Sequence, residues 1–337
     1  MYLTNEKVVV LGAAGAIGSA LVQCLLSSRT ANRIMMYDPY LKGLEGAAEE
    51  MLHSGYPDID ITWTADIKQA LTGASYVISS GGAPRKEGMT REELLRDNGL
   101  IARGLGQNIK SYCPDCKFLI VIFNPADITG LAALVHSGLP PNRVTTLAAL
   151  DSTRLQTALA QHFQLPLSAI TGCATYGGHG EKMAVFASGV KVDGVPLSNM
   201  LAGHGWLAKK SITLEQWEAI KERVRGGGMR IIKLRGRSSY QSPAALVSQM
   251  LGAAAGGEPF TWPAGAYMPN GPYGRVMMAA KARITAEGVQ AELPSGSPEE
   301  LAELAESYEH LVGLRSQAIA EGILPPVAEW RQVNRHL

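Results

Sequence analysis

The sequence predicts an α/β protein in which a doubly wound parallel sheet is followed by an α+β domain. Three observations predict it. Short apolar runs alternate with helical patterns through the first half of the chain. Those runs are apolar at nearly every position, as strands buried on both faces must be, rather than at every second one. Beyond about residue 150 the regular alternation gives way to a mixed order of elements.

The strands of the first half are Val8–Leu11, Arg33–Tyr37, Ile59–Trp63, Tyr76–Ser79, Phe118–Phe123 and Val144–Leu147, rich in Val, Ile and aromatic residues. Helical patterns over Ala16–Ser28, Thr90–Tyr112 and Ala126–Ser137 lie between several of them, as the crossovers of a parallel sheet require. In the second half, Ser152–Gln161 reads as a helix, Ala169–Thr175 and Phe186–Val192 as strands, and Gly194-Val195-Pro196 as a turn. Leu214–Val224 and Ala244–Leu251 read as helices. A last helix over Glu299–Glu321 follows Ser297-Pro298, an N-cap before proline in the first turn. The division expected is a first domain over residues 1–150 and a second over 151–337.

The bulk properties exclude some classes of partner. Lys plus Arg number 31 and Asp plus Glu 30, for a net charge of +1, so nothing draws the chain as a whole to nucleic acid or to an acidic membrane. No run reaches the roughly 18 apolar residues that span a bilayer. The apolar stretch from Val8 to Leu26 is interrupted by glycines and lacks a cleavage signal. A soluble, cytoplasmic protein without a targeting segment is expected. Four scattered cysteines suit a reducing compartment. Cys113-Pro-Asp-Cys116 has the spacing of a zinc knuckle but no matching second pair, so it reads as a turn before a strand, and no metal is expected.

Local motifs carry the chemistry. Gly12, Ala13, Ala14, Gly15, Ala16, Ile17 and Gly18 follow the first strand and open the first helix. Their G-x-x-G-x-x-G spacing is a variant of the dinucleotide fingerprint. Glycine permits the tight turn, the close approach of backbone to a pyrophosphate and the packing of helix on strand. The helix N-terminus presents free N–H groups to the phosphates. The second strand ends at Asp38, about 20 residues past the last glycine, where an acid accepts hydrogen bonds from a ribose and repels a 2′-phosphate. The Rossmann-type first domain is therefore expected to bind NAD rather than NADP.

Four further segments occur in order. Gly81-Gly82-Ala83-Pro84-Arg85-Lys86-Glu87-Gly88-Met89-Thr90-Arg91 leads into Glu92–Asn98. Then come Phe123-Asn124-Pro125-Ala126-Asp127, Leu150-Asp151-Ser152-Thr153-Arg154 and Gly177-Gly178-His179-Gly180. This ordered set resembles the lactate/malate dehydrogenase family, over most of the chain from residue 7 and more weakly after about residue 195.

The residues suit that chemistry in their own right. Oxidising a 2-hydroxy acid needs a base for the hydroxyl proton, cations for its carboxylates and a nicotinamide for the hydride. His179 suits proton exchange near neutral pH. Asp151 is placed to hold the other ring nitrogen. Arg154, one helical turn on, suits a bidentate grip on the 1-carboxylate. The resemblance assigns the same roles. It further implies that residues 85–91 form an active-site lid, in which Arg91 polarises the reacting carbonyl and Arg85 selects a substrate with a second carboxylate. It makes Asn124 a contact of both substrate and nicotinamide, Asn98 and Ile122 cofactor contacts, and Ser238 a hydroxyl on the substrate floor.

The function expected is reversible hydride transfer between malate and NAD, giving oxaloacetate and NADH, by a homodimer or a tetramer. The alternatives are lactate or another 2-hydroxy acid as substrate, and a catalytically silent NAD-binding interaction protein. An NAD-dependent glycosidase on a related fold would carry metal ligands. A second Gly-His-Gly tripeptide around His204 competes with His179. The sequence departs from the family pattern at Glu181-Lys182, at Gln241-Ser242-Pro243 and from His204 to Lys210.

Overall fold

The computed structural model describes residues 1–83, 91–204 and 211–337, with residues 91 and 92 in backbone only. The first half runs β1 (Val8–Leu11), α1 (Ala16–Ser27), β2 (Arg33–Tyr37), α2 (Leu41–His53), β3 (Asp60–Thr64), α3 (Ile67–Leu71) and β4 (Tyr76–Ser79). It continues with α4 (Arg91–Tyr112), β5 (Phe118–Val121), α5 (Ala126–Ser137) and β6 (Val144–Thr146). These six strands pair in parallel in the order β3-β2-β1-β4-β5-β6. The order reverses beside β1, which lies between β2 and β4, and a crevice opens at the carboxyl ends of strands at such a switch point.

Both faces of β1 are buried, for the reason its unbroken apolar run suggests. Val8 and Val10 enter one core with Leu21, Val22 and Leu25 of α1. Val9 and Leu11 enter the other with Leu95 and Leu105 of α4 and Leu131 of α5. Alternate residues of one strand thus serve two cores.

The second half begins with α6 (Ala149–Phe163), followed by the short strands β7 (Ile170–Thr171), β8 (Ala174–Tyr176), β9 (Ala184–Phe186), β10 (Lys191–Val192) and β11 (Val195–Pro196). The expected strand over 169–175 is broken in two. Gly172 has a φ of +69°, and a Cβ there would lie 2.0 Å from the Gly189 carbonyl oxygen. The stretch over 186–192 divides likewise, with Val190 N donating back to Ala187 O. Helices α7 (Leu197–Leu201), α8 (Leu214–Arg225), α9 (Gly227–Arg235) and α10 (Gln241–Ala254) come next.

Three strands follow that the sequence does not announce: β12 (Ala264–Met268), β13 (Val276–Thr285) and β14 (Gly288–Glu292). They extend the parallel sheet antiparallel from β6, through the pair Gly265–Thr146, so that one sheet runs through both halves of the chain. Alanine and methionine dominate β12 and the first half of β13, and both favour helix in isolation. Burial between helices overrides that preference here. Helix α10 also returns to the first half, where Ser248 Oγ lies 3.1 Å from Ser28 Oγ at the end of α1. The long helix α11 (Pro298–Ala320) starts as expected: Ser297 Oγ accepts from Glu300 N and the Glu300 side chain accepts from Ser297 N, a full capping box. The chain ends with α12 (Trp330–Val333). Among the described residues no helix is long and apolar enough to cross a membrane.

Candidate active site

The glycine-rich turn hangs from the end of β2: Gly12 N and Ala13 N both donate to Tyr37 O, at 2.9 and 3.0 Å. Gly12 has a φ of +82°, and a Cβ on it would meet the Gly81 backbone at 2.7 Å. A Cβ on Gly18 would lie 2.2 Å from Gly12 O, so α1 packs hard on the turn. Among the described residues no side chain caps the N-terminus of α1, whose first N–H groups face a ligand site. Asp38 sits beside this turn. Its Oδ2 accepts from Ala14 N at 3.3 Å and its Oδ1 from Tyr40 N at 2.9 Å. A turn built of glycine and alanine, an open helix terminus and an adjacent acid fit the pyrophosphate and ribose of NAD.

The loops after β4 and β5 lie at the carboxyl ends of their strands, beside the switch point. Ile122 is half-buried, and its N–H donates to Ser79 O at 3.0 Å. Asn124 is exposed, next to Pro125 across a cis peptide. Asn98 on α4 is buried, and its amide is engaged by backbone. Oδ1 accepts from Ala83 N at 2.7 Å, while Nδ2 donates to Asn124 O at 2.6 Å and to Ala83 O at 3.3 Å. Asn98 thus ties the two loops together. Arg85 lies outside the described residues, as does the side chain of Arg91, whose backbone opens α4.

The structure brings His179, Asp151 and Arg154 into one cluster. Asp151 lies in the first turn of α6, with Ala148 as the N-cap. Its Oδ2 lies 2.6 Å from His179 Nδ1 and its Oδ1 accepts from Arg154 Nη1 at 2.7 Å. The carboxylate is almost sealed, at 3% exposed, whereas the His179 and Arg154 side chains keep 21% and 20% exposure. A carboxylate on Nδ1 holds the ring proton there and leaves Nε2 as the open lone pair. Burial pushes the Asp151 carboxyl up, but the neighbouring His179 and Arg154 outweigh burial and hold it below its ordinary value. The Asp151 charge raises His179 against the effect of burial, with help from Asp127 and opposition from Arg154.

Residues not singled out from the sequence complete the cluster. Asp127 Oδ2 accepts from His179 N at 2.7 Å, and Ser307 Oγ on α11 accepts from Gly178 N at 2.9 Å. Gly177 pairs with Ala279 of β13 through both backbone bonds. At the α8–α9 junction a Cβ on Gly227 would lie 2.8 Å from Arg154 Cδ, so the guanidinium arm rests against bare backbone. The run Gly226-Gly227-Gly228 was the available signal. Ser238 lies exposed between α9 and α10, and His204 lies exposed after α7. Cys113 and Cys116 are buried free thiols that close the turn before β5, with Cys116 N donating to Cys113 O.

Comparison with known proteins identifies the family. Residues 6–146 match the family model for the lactate/malate dehydrogenase NAD binding domain, and residues 148–314 match the model for the lactate/malate dehydrogenase alpha/beta C-terminal domain. A malate dehydrogenase of Anaplasma marginale (strain St. Maries) is 34% identical over 275 residues, covering 80% of this chain and 83% of that protein. Two solved structures superpose over nearly the whole length. One is the malate dehydrogenase of Plasmodium falciparum, with TM-score 0.85 and 25% identity over 94% of this chain and 99% of that one. The other is a lactate dehydrogenase of Cryptosporidium parvum complexed with lactic acid and nicotinamide adenine dinucleotide, with TM-score 0.83 and 28% identity over 96% and 99%. The chain is a member of the lactate/malate dehydrogenase family, an NAD-dependent oxidoreductase.

Proposed function

We propose that the protein is a malate dehydrogenase, interconverting malate and oxaloacetate. The observation that carries the 2-hydroxy-acid chemistry is the Asp151 carboxylate shared between His179 Nδ1 and the Arg154 guanidinium, and the choice of malate is supported by Arg85 and by the 34% identical malate dehydrogenase. The shared carboxylate orients a base and a carboxylate-binding cation toward one opening. NAD, when bound in the first domain, supplies the hydride acceptor. His179 Nε2 takes the hydroxyl proton of malate, and the ionised Asp151 stabilises the imidazolium that forms. The outer N–H groups of Arg154 hold the 1-carboxylate, Arg91 polarises the oxygen that becomes the ketone, and Arg85 meets the second carboxylate. Asn124 and Ile122 flank the nicotinamide, Asn98 serves the cofactor by fixing their loop, and Ser238 borders the substrate. On this reading residues 1–150 hold the cofactor, and residues 151–337 carry the acid–base pair and the subunit contacts.

A paired assay of NADH oxidation tests the substrate. Oxaloacetate is expected to exceed pyruvate in kcat/KM by about a hundredfold or more, the worth of one buried ion pair. A preference for pyruvate would make the protein a lactate dehydrogenase. Cofactor choice tests Asp38. Wild-type protein is expected to favour NADH over NADPH, and Asp38→Ser with a basic residue beside it is expected to narrow the gap. A wild-type preference for NADPH removes Asp38 from the ribose site. We also propose a cytoplasmic homodimer. The free thiols suit a reducing compartment. The exposed Leu41 and Leu52 of α2, and Met229 and Leu234 of α9, are surfaces a second subunit would cover. Sedimentation equilibrium decides between dimer and tetramer.

A further inference from the structure

Two neighbouring backbone N–H groups of the His179 loop are held by different acceptors. Gly178 N donates to the neutral Ser307 hydroxyl at 2.9 Å, whereas His179 N donates to the Asp127 carboxylate at 2.7 Å. Asp127 is 5% exposed, in the first turn of α5. A hydroxyl suffices to hold an N–H, as Ser307 demonstrates one residue away. Burying a carboxylate for that purpose alone is the costlier choice. What the carboxylate adds is charge.

The charged groups around the ring define what that charge does. From α6 come the Asp151 carboxylate and the Arg154 guanidinium, and from α5 the Asp127 carboxylate. Helix α11 presents Ser307 and Leu311, both uncharged, against Gly177 and Gly178. With Asp127 and Asp151 ionised and Arg154 charged, the cluster is neutral when His179 is protonated and carries one net negative charge when it is not. Without Asp127, the neutral ring would give the neutral cluster.

We propose that Asp127 is a positioning residue of the acid–base centre, gripping the His179 main chain and supplying the second negative charge that balances the imidazolium. The proposal rests on His179 being the base and adds a second carboxylate to it. Burial pushes Asp127 up to about 6, so the balancing charge is itself withdrawn on mild acidification. The two groups then titrate as a coupled pair.

Asp127→Asn separates grip from charge, because the amide oxygen still accepts from His179 N. The experiment follows the His179 ring resonances by NMR against pH in the NADH-bound protein, alongside pH profiles of malate oxidation and oxaloacetate reduction. The variant is expected to lower the ring's titration midpoint by about one pH unit, the low end of a neighbouring charge's effect. The rising limb of malate oxidation should move to lower pH with it. Asp127→Glu, which keeps the charge, should largely restore the wild-type midpoint. An unchanged midpoint in Asp127→Asn would reduce Asp127 to a loop fastener and overturn the proposal. Should that variant fail to fold, Asp127→Ser, which offers a neutral hydroxyl acceptor of the kind Ser307 gives Gly178 N, decides by the same reading: a lowered midpoint supports the proposal and an unchanged midpoint overturns it. None of the NMR readouts needs turnover. Loss of His179's role as base would show separately, as normal turnover in His179→Asn.

Discussion

Asp151→Asn lowers turnover by about 10²–10⁴-fold in both directions while NADH binding persists, and His179→Asn loses about 10²-fold or more. The two variants fail for different reasons. His179→Asn removes the group that exchanges the proton. Asp151→Asn leaves the imidazole in place but turns its environment around. An amide donates where the carboxylate accepted, so the ring proton is driven from Nδ1 to Nε2 and the open lone pair is lost. The amide oxygen left on the other side still accepts from Arg154 Nη1, but the ion pair becomes a hydrogen bond to a neutral group, so the 1-carboxylate site loosens and KM rises with the fall in kcat. The wild-type pH dependence follows from the raised His179. Oxidation of malate needs the neutral ring, so it climbs with pH through a midpoint above the ordinary imidazole value. Reduction of oxaloacetate needs the charged ring, so it declines over the same interval. Stopped-flow turnover and NADH fluorescence titration on each variant check these outcomes. Near-normal turnover in His179→Asn, with activity abolished by His204→Asn, would transfer the base to the other tripeptide.

The parts of this site that were legible in the sequence are those fixed by short-range pattern. The glycine turn and Asp38 sit on consecutive elements of one β-α-β unit. Asp151 and Arg154 lie one helical turn apart, which alone places them on one face. The parts that were not legible depend on distant pairing. Asp127 and His179 are 52 positions apart, and Ser307 and Gly178 are 129. The side chain at each of those distant positions suits many bland roles. An acid in a first helical turn is expected for the helix dipole alone, so Asp127 drew no notice within its own motif. Strands β12–β14 were hidden for a related reason. Their alanines and methionines carry no strand preference, and only the open edge at β6 makes them strands. One sheet runs through both halves of the chain, from β3 at one edge to β14 at the other.

Arg85→Gln is expected to reverse much of the substrate preference, lowering kcat/KM for oxaloacetate and raising it for pyruvate. Arg85 itself lies outside the described residues, and its role comes from the family resemblance. What the structure supplies is the anchoring of the segment around it. Asn98 holds Ala83 by both its N–H and its carbonyl on one side, and α4 begins at Arg91 on the other. A guanidinium that meets the 4-carboxylate away from water forms a stronger pair than one on the surface. Pyruvate has a methyl group in place of that carboxylate, so the cation is dehydrated with no partner. Leaving a buried charge unpaired costs about 3–5 kcal/mol, or roughly two to four decades in kcat/KM. Glutamine removes the attraction for oxaloacetate and the penalty for pyruvate together, so the ratio of the two specificity constants should fall by about a hundredfold or more. Arg154→Gln is the matched control. Both substrates carry the 1-carboxylate, so that change should lower kcat/KM for each by a similar factor and leave the ratio near the wild-type value. A ratio that stays put in Arg85→Gln would mean that the second carboxylate is read elsewhere. Malate would then lose its main support as the substrate, while the hydride chemistry of the Asp151–His179 pair would stand.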